Sequence, residues 1–349
     1  MPDAVPKTAC WLRPEQAEVV ARVLAAAGIV PAFAGSPEPT HSGQVARALN
    51  CETCDDLRSA LTSLPVDMVF IAAAGAFGHK DVDQDLTALQ AARSRAVPVA
   101  TSDPIPAAAM ELGGTRWMEA LHNGSLAELV RFVPRTRRTK TADELHAALE
   151  TFGVPRTCSL RLFGPAALAN LGARLFDAMD FVRTLMGVPE TIDACYVAPA
   201  KGRGVHQLPG ESLRHLEGDL TIHLRFSDGR AATAHLSDQA PATAFDLRVL
   251  GTEGILSLTP ERLTWRHPGG EVDRTAIGPK PTASDGPEGT DPGEAALIAQ
   301  LSNLCSGVGP SHAPIDYPAV LSMSHAALLS CRTGQGESPD TIRRLIQHG

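Results

Sequence analysis

Asn170, Arg174 and Asp177 recur at i, i+4 and i+7 in the stretch GPAALANLGARLFDAMDFVRTLMG, residues 164–187. On a helix that spacing puts all three side chains on one face. An amide, a guanidinium and a carboxylate in line can form one wall of a polar site. They can equally be a solvated stripe. The apolar residues Leu168, Leu171, Leu175, Met179, Val182 and Met186 recur at threes and fours, so the same helix has a core-facing side. Gly187 and Pro189 supply its C-terminal stop. A helix over 167–186 is the expectation.

What must position this helix is an alternating chain. Through residue 112, short apolar runs at 9–12, 29–34, 67–74 and 97–101 alternate with amphipathic stretches at 14–27, 41–49, 56–64, 84–95 and 105–112. Alternation of this kind predicts a parallel sheet with right-handed crossovers. The run DMVFIAAA at 67–74 is continuously apolar, as a strand covered on both faces requires. Ligands of such sheets bind beyond the carboxyl ends of the strands. That singles out the turns at 12–16, 35–38, 75–79 and 102–104, and with them Arg13, Ser36, His79, Ser102 and Asp103. A dinucleotide fold places glycines in the first of these turns, where the backbone approaches the pyrophosphate. Here it reads LRPEQ, and Pro14 removes an amide donor. No acid for a ribose hydroxyl ends the second strand; Gly35 and Ser36 stand there.

The second half changes period. DLTIHLRF, residues 219–226, alternates as a half-buried strand, and Ser227-Asp228-Gly229 is a hairpin turn. Further strands at 231–237, 245–250, 255–258, 263–267 and 272–277 predict an antiparallel meander covered by the 167–186 helix. Residues 131–140 carry five basic side chains in ten and read as a solvated linker, with an anion site as the other reading. Residues 278–293 read as an exposed loop, and helices close the chain at 294–306 and 318–331. The expected fold is α/β: an N-terminal Rossmann-like parallel sheet plus a C-terminal α+β domain with an open, mainly antiparallel sheet. The expected domains are 1–125 and 126–316, with a closing helix and tail at 317–349.

Composition narrows the function. A net charge of −8 argues against nucleic acid and membrane surfaces as partners. No apolar run approaches the about 18 residues that span a bilayer, and no signal-peptide pattern is visible. Seven scattered cysteines fit reduced thiols, so a soluble cytoplasmic protein is expected. Cys51 and Cys54 form a lone CxxC without a second pair, and no metal site is expected. No G-x-S-x-G turn or P-loop is present.

From about residue 15 to residue 333 the chain resembles the glucose–fructose oxidoreductase/inositol dehydrogenase/MocA (Gfo/Idh/MocA) family. Four places carry the resemblance: Asn170 to Asp177 with Leu185-Met186-Gly187; Leu247 to Gly254, which contains Gly-Thr-Glu-Gly; Asp316-Tyr317-Pro318 with His325-Ala326-Ala327 and Ser330; and the strand at 67–74 followed by His79. The resemblance implies a dinucleotide-binding domain for NAD or NADP and a second domain whose open sheet makes a homo-oligomer. It implies hydride transfer with a sugar or polyol-like hydroxyl.

Residue by residue the catalytic pattern departs. The family's glycine-rich turn falls on residues 12–16 and is absent, which weakens the case for NAD or NADP. Its Glu-Lys-Pro falls on Ser102-Asp103-Pro104. Its Asp-x-Gly-x-His-x-x-Asp falls on Asn170, Gly172, Arg174 and Asp177. A general base must lose and regain a proton near neutral pH, and guanidinium does not. The leading expectation is a homologue without standard hydride transfer, binding a small polar or anionic molecule or a partner. The alternative is an active oxidoreductase whose acid–base group is relocated to His79 or His206. A scaffold role through the antiparallel sheet is a third.

Overall fold

The computed structural model describes residues 5–112, 116–122, 126–167, 169–199, 207–260, 262–276, 292–307 and 315–348. The chain divides into two compact units. One comprises residues 1–134, 297–315 and 346–349; the other comprises 135–296 and 316–345.

The first unit is built on six parallel strands: β1 (Lys7–Trp11), β2 (Val30–Gly35), β3 (Glu52–Thr53), β4 (Met68–Ile71), β5 (Val99–Thr101) and β6 (Arg131–Phe132). Their order is β3-β2-β1-β4-β5-β6, the doubly wound order whose switch point lies between β1 and β4. β4 is buried throughout, which explains its unbroken apolar sequence. Helix Ala17–Ala26 buries Val20, Val23 and Leu24, and helix Ser42–Leu49 buries Val45, Ala46 and Leu49. These side chains join Leu12, Phe70, Leu297 and Leu301 in one core.

The second unit carries eight strands: β7 (Pro155–Pro165), β8 (Thr191–Val197), β9 (Asp219–Arg225), β10 (Ala231–Ser237), β11 (Gln239–Gly251), β12 (Gly254–Thr259), β13 (Arg262–Arg266) and β14 (Val272–Ala276). The order is β14-β13-β12-β11-β7-β10-β9-β8. The meander expectation is therefore corrected in one respect: β7 enters the middle of the sheet, parallel to β10 and antiparallel to β11. One face is apolar and buried, through Leu160, Ile222, Leu236, Val249 and Leu258. Helices Leu171–Met186 and Tyr317–Thr333 lie on the sheet. Asp316 caps the second of them, accepting from the Ala319 amide at 3.3 Å.

Two further expectations change. The helix expected from residue 167 begins at Leu171, because Asn170 is its extended N-cap. The basic stretch 131–140 is not a solvated linker. Arg131 and Phe132 form β6, and Thr136, Arg137 and Thr139 are buried. Most of the loop expected over 278–293 lies outside the described residues. Among the described residues no helix is long and apolar enough to cross a membrane.

Candidate functional site

In the first unit the chemistry converges on the turns beyond β1, β2, β4 and β5. β1 ends at Trp11, and the chain passes through a single 3-10 turn, Pro14–Gln16, into the next helix. The Leu12 amide donates to the Gly35 carbonyl at 3.0 Å, and the Gln16 amide to the Arg13 carbonyl at 3.0 Å. The Arg13 amide donates to Gln16 Oε1 at 2.9 Å. Three of the amides in this turn are therefore spent, and Pro14 has none.

Gln16 does more than close its own turn. Its Nε2 donates to the Ala72 carbonyl at 3.1 Å, bridging the turn after β1 to the end of β4. Its side chain is buried, and it lies at the switch point, where a doubly wound fold opens its ligand crevice. The amides of Ala72 and Ala73 tie the same two segments by donating to the Trp11 carbonyl at 2.8 and 3.1 Å.

A second bridge joins β2 to β4. Gly75 has φ 58°, and a Cβ there would lie 2.5 Å from Pro37 Cβ. The two loops touch where a missing side chain lets them.

The sequence-selected residues fit into this closure. Ser102 Oγ donates to the Ala72 carbonyl at 3.2 Å, and the Ala74 amide donates to Asp103 Oδ2 at 3.0 Å. Ser36 is buried, its amide donating to Ser42 Oγ and its own Oγ accepting from the Glu38 amide, both at 3.3 Å. Arg13 faces Glu15 at 3.6 Å. His79 Nδ1 lies 2.9 Å from Glu111 Oε1. All five serve the protein's own loops. A dinucleotide does not fit this donor set: Pro14 has no amide, those of Leu12, Arg13 and Gln16 are occupied, Gln16 bridges the crevice, and Asp103 sets a carboxylate beside the β4 turn.

In the second unit the helix Leu171–Met186 is buried on every side except at Arg183 and Thr184. The line of three polar residues is thus neither a solvated stripe nor an open wall. Asn170 Oδ1 accepts from the Ala173 amide at 2.7 Å. Asp238, also buried, accepts the Leu171 amide at 3.0 Å and the Gly218 amide at 2.8 Å. The first turn of the helix is satisfied from within. Arg174 Nη2 donates to the Pro165 carbonyl at 3.1 Å, fixing the guanidinium at the end of β7. Gly172 keeps its place for packing: a Cβ there would stand 1.9 Å from the Leu213 carbonyl oxygen.

Asp177 faces the basic segment. Its Oδ2 accepts from the Arg135 amide at 3.1 Å, the Thr136 amide at 3.0 Å and Thr136 Oγ1 at 2.6 Å. One turn on, Asp180 Oδ2 lies 2.9 Å from Arg137 Nε, with both side chains buried. Burial pushes both carboxyls up, Asp180 to about 6. For Asp180 the Arg137 guanidinium opposes that rise and Asp177 adds to it; for Asp177 the hydrogen bonds from Thr136 and Arg135 oppose it. Sequence reading missed Gln16, Asp180, Arg137 and Asp238. A usable signal existed for one pair: an acid on a largely apolar helix needs a cation, and five stood in residues 131–140. His206 lies outside the described residues. Among the described residues no cluster of His, Cys, Asp and Glu could hold a metal ion.

The two sheets define a class: a Rossmann-like unit joined in one chain to a unit with an open, mostly antiparallel sheet. Solved structures of that class match almost end to end. An oxidoreductase from Agrobacterium radiobacter, in complex with NAD+, L-tartaric acid and magnesium, is 16% identical, with 97% of this chain and 100% of that chain covered and a TM-score of 0.65. A levoglucosan dehydrogenase in complex with NADH and levoglucosan is 13% identical over 95% and 98%, TM-score 0.64. A myo-inositol dehydrogenase from Corynebacterium glutamicum is 15% identical over 96% and 99%, TM-score 0.60. The fold is that of the Gfo/Idh/MocA-type oxidoreductases. At such identity the likeness is one of fold, and activity is a separate matter. No family model and no curated protein sequence matches the chain.

Proposed function

We propose that this chain is a Gfo/Idh/MocA-type homologue that does not run NAD(P)-dependent hydride transfer and acts through association with another protein. One observation carries the reading: the Gln16 side chain spans from its own turn to the Ala72 carbonyl, across the switch point of the sheet. The second unit supports it. Arg174 stands where the family's general base stands, keeps its proton at neutral pH, and is committed to the Pro165 carbonyl. That bond takes one of a guanidinium's five N–H donors, so a small polar or anionic ligand is the second reading beside a protein partner. The open sheet of the second unit is the surface for it. A cytoplasmic location fits the seven free cysteines.

The test is direct. Purified protein is titrated calorimetrically with NAD+, NADH, NADP+ and NADPH, then assayed with tartrate, levoglucosan and myo-inositol. No nucleotide binding and no turnover are expected. Micromolar binding with turnover on any of these would overturn the proposal. Cell fractionation tests the location.

A further inference from the structure

The last helix of the chain, Pro339–His348, is pinned beside the edge strand β8. The Ile192 amide donates to the Glu337 carbonyl at 2.8 Å, and the Glu337 amide to the Ile192 carbonyl at 2.9 Å. Gly336 permits that approach: a Cβ there would stand 2.7 Å from Thr191 Cγ2 and 2.8 Å from Asp193 Oδ1. Ile342 is buried, and Asp340 and Arg343, three apart, share a face of the helix. That face borders a cavity of about 300 Å³ in the second unit. Opposite it stands helix Tyr317–Thr333 with Ala319 and Ser322, also three apart, both buried and both short enough to leave the space open. The turn into β8, at Val188 to Glu190, and Ser227 in the hairpin between β9 and β10 complete the walls.

The lining divides by chemistry. Val188, Pro189, Ala319 and Pro339 make an apolar wall, and Val188 is exposed on it. The Glu190 amide donates to the Arg225 carbonyl at 2.8 Å, which fixes its backbone. Its carboxylate is exposed and has no ion pair among the described residues. Arg343 lies 3.5 Å from Asp340 Oδ1, and Arg344 takes the other oxygen of the same carboxylate at 3.2 Å. Asp340 is thus answered twice, while Arg343, with five N–H donors, keeps capacity toward the cavity. A ligand with only a positive charge would meet Arg343, and one with only a negative charge would meet Glu190. A zwitterion answers both. The volume lies at the lower end of the about 300–1,000 Å³ of ligand pockets, which suits a molecule of few heavy atoms and not a nucleotide.

We propose that this cavity binds a free α-amino acid with a small apolar side chain. Glu190 receives its ammonium, Arg343 its carboxylate, and Val188, Pro189 and Pro339 its side chain. The site shares no residue with the turn at Gln16 or with the helix end at Asn170 and Arg174, so it goes beyond the proposed function. Bound there, the amino acid ties the last helix to the turn before β8 and stabilises the native chain by mass action.

Leucine is the probe, followed by calorimetry and melting curves with the full chain. Isopentylamine and isocaproate, which are leucine without its carboxylate and without its ammonium, are run beside it. Saturable binding of leucine and a rise in melting temperature are expected. Each truncated analogue should bind roughly tenfold or more weakly, the worth of one charge-assisted hydrogen bond. Glu190→Gln should lose the preference for leucine over isocaproate, and Arg343→Gln the preference over isopentylamine. Both side chains are exposed, and circular dichroism confirms that each variant folds. Failure of leucine to bind would overturn the proposal. So would unchanged affinity in both variants, or an analogue that binds as tightly as leucine. NADH is titrated in the same series; its turnover would overturn the proposed function and leave this site standing, so the two failures are distinguishable.

Discussion

Arg137 Nε lies 2.9 Å from Asp180 Oδ2, and the side chains are 7% and 0% exposed. The pair joins a segment that reads as a charged linker to a helix that reads as amphipathic. Neither stretch is what its composition implies, because each neutralises the other. Removing one partner leaves a buried charge unanswered, whereas removing both does not. Arg137→Met should therefore destabilise the second unit by about 3–5 kcal/mol, and Arg137→Met with Asp180→Leu should recover most of the loss. Urea denaturation followed by tryptophan fluorescence and circular dichroism measures both. Additive losses would show that the pair does not act as one.

The same carboxylate sets a pH dependence. Burial raises Asp180 to about 6 from its ordinary 3.8, so the folded protein holds this proton more tightly than the unfolded chain does. Asp180 consequently disfavours the folded state once both forms are ionised, above about pH 6. As pH falls from there through the ordinary carboxylate range, its contribution to stability rises. Asp177 is shifted in the same direction by burial. Melting temperatures for the native chain and Asp180→Asn, compared between pH 7 and pH 4, isolate the effect. The difference between the two proteins should change with pH in that window. A constant offset would contradict the assignment.

Gln16 gives a test in the first unit. Its amide makes two bonds, to the Arg13 amide and the Ala72 carbonyl, and it is buried. Gln16→Ala strands that donor and acceptor and should cost about 1–3 kcal/mol. The Arg13 amide is released, but nucleotide affinity should not appear in exchange, because Pro14 still has no amide and the amides of residues 12 and 16 stay bonded to the Gly35 and Arg13 carbonyls. Chemical denaturation and calorimetry with NADH read the two outcomes separately.

How far the sequence speaks depends on which physical signal each feature leaves. The β4 run and the alternation of β9 were legible because burial on two faces or one writes directly into residue type. Asn170 and Arg174 were legible because neither an amide nor a guanidinium titrates near neutral pH, and Asp103 because it sets a carboxylate where the resemblance implies a lysine. The insertion of β7 between β10 and β11 was not, since strand order leaves no periodic trace. Gln16 was hidden for a related reason: a glutamine in a turn is ordinary until a carbonyl from residue 72 is placed opposite it. Long-range pairing also hid the fate of residues 131–140. Their charge was visible, and the carboxylates that bury it lie some forty positions away, as Thr136 to Asp177 shows.

Gly172 gives a packing test on the helix that carries Asn170, Arg174 and Asp177. Replacing a helical glycine by alanine ordinarily gains up to about 1 kcal/mol. Here the new methyl would meet the Leu213 carbonyl oxygen at 1.9 Å, and that atom is backbone. Gly172→Ala should destabilise by about 1–3 kcal/mol, the usual cost of overpacking. The midpoint of urea unfolding decides the sign, and a stabilised variant would mean that the 213–216 loop does not rest on this helix.

The last prediction asks whether restoring two residues restores an enzyme. Asn170→Asp keeps a good N-cap, since a carboxylate accepts the Ala173 amide as the amide oxygen does. Arg174→His puts a titratable ring where the resemblance implies the family's base and gives up the bond to the Pro165 carbonyl. The double variant should fold, with a loss of about 1–2 kcal/mol for the missing charged hydrogen bond. It should still reduce no NAD+ in the presence of tartrate, levoglucosan or myo-inositol. Proton transfer is one requirement and a held nicotinamide is another, and the second resides in the turn where Pro14 and Gln16 stand. Measurable NADH formation by this variant would place the defect in the helix alone, and would refute the account of the first unit given above.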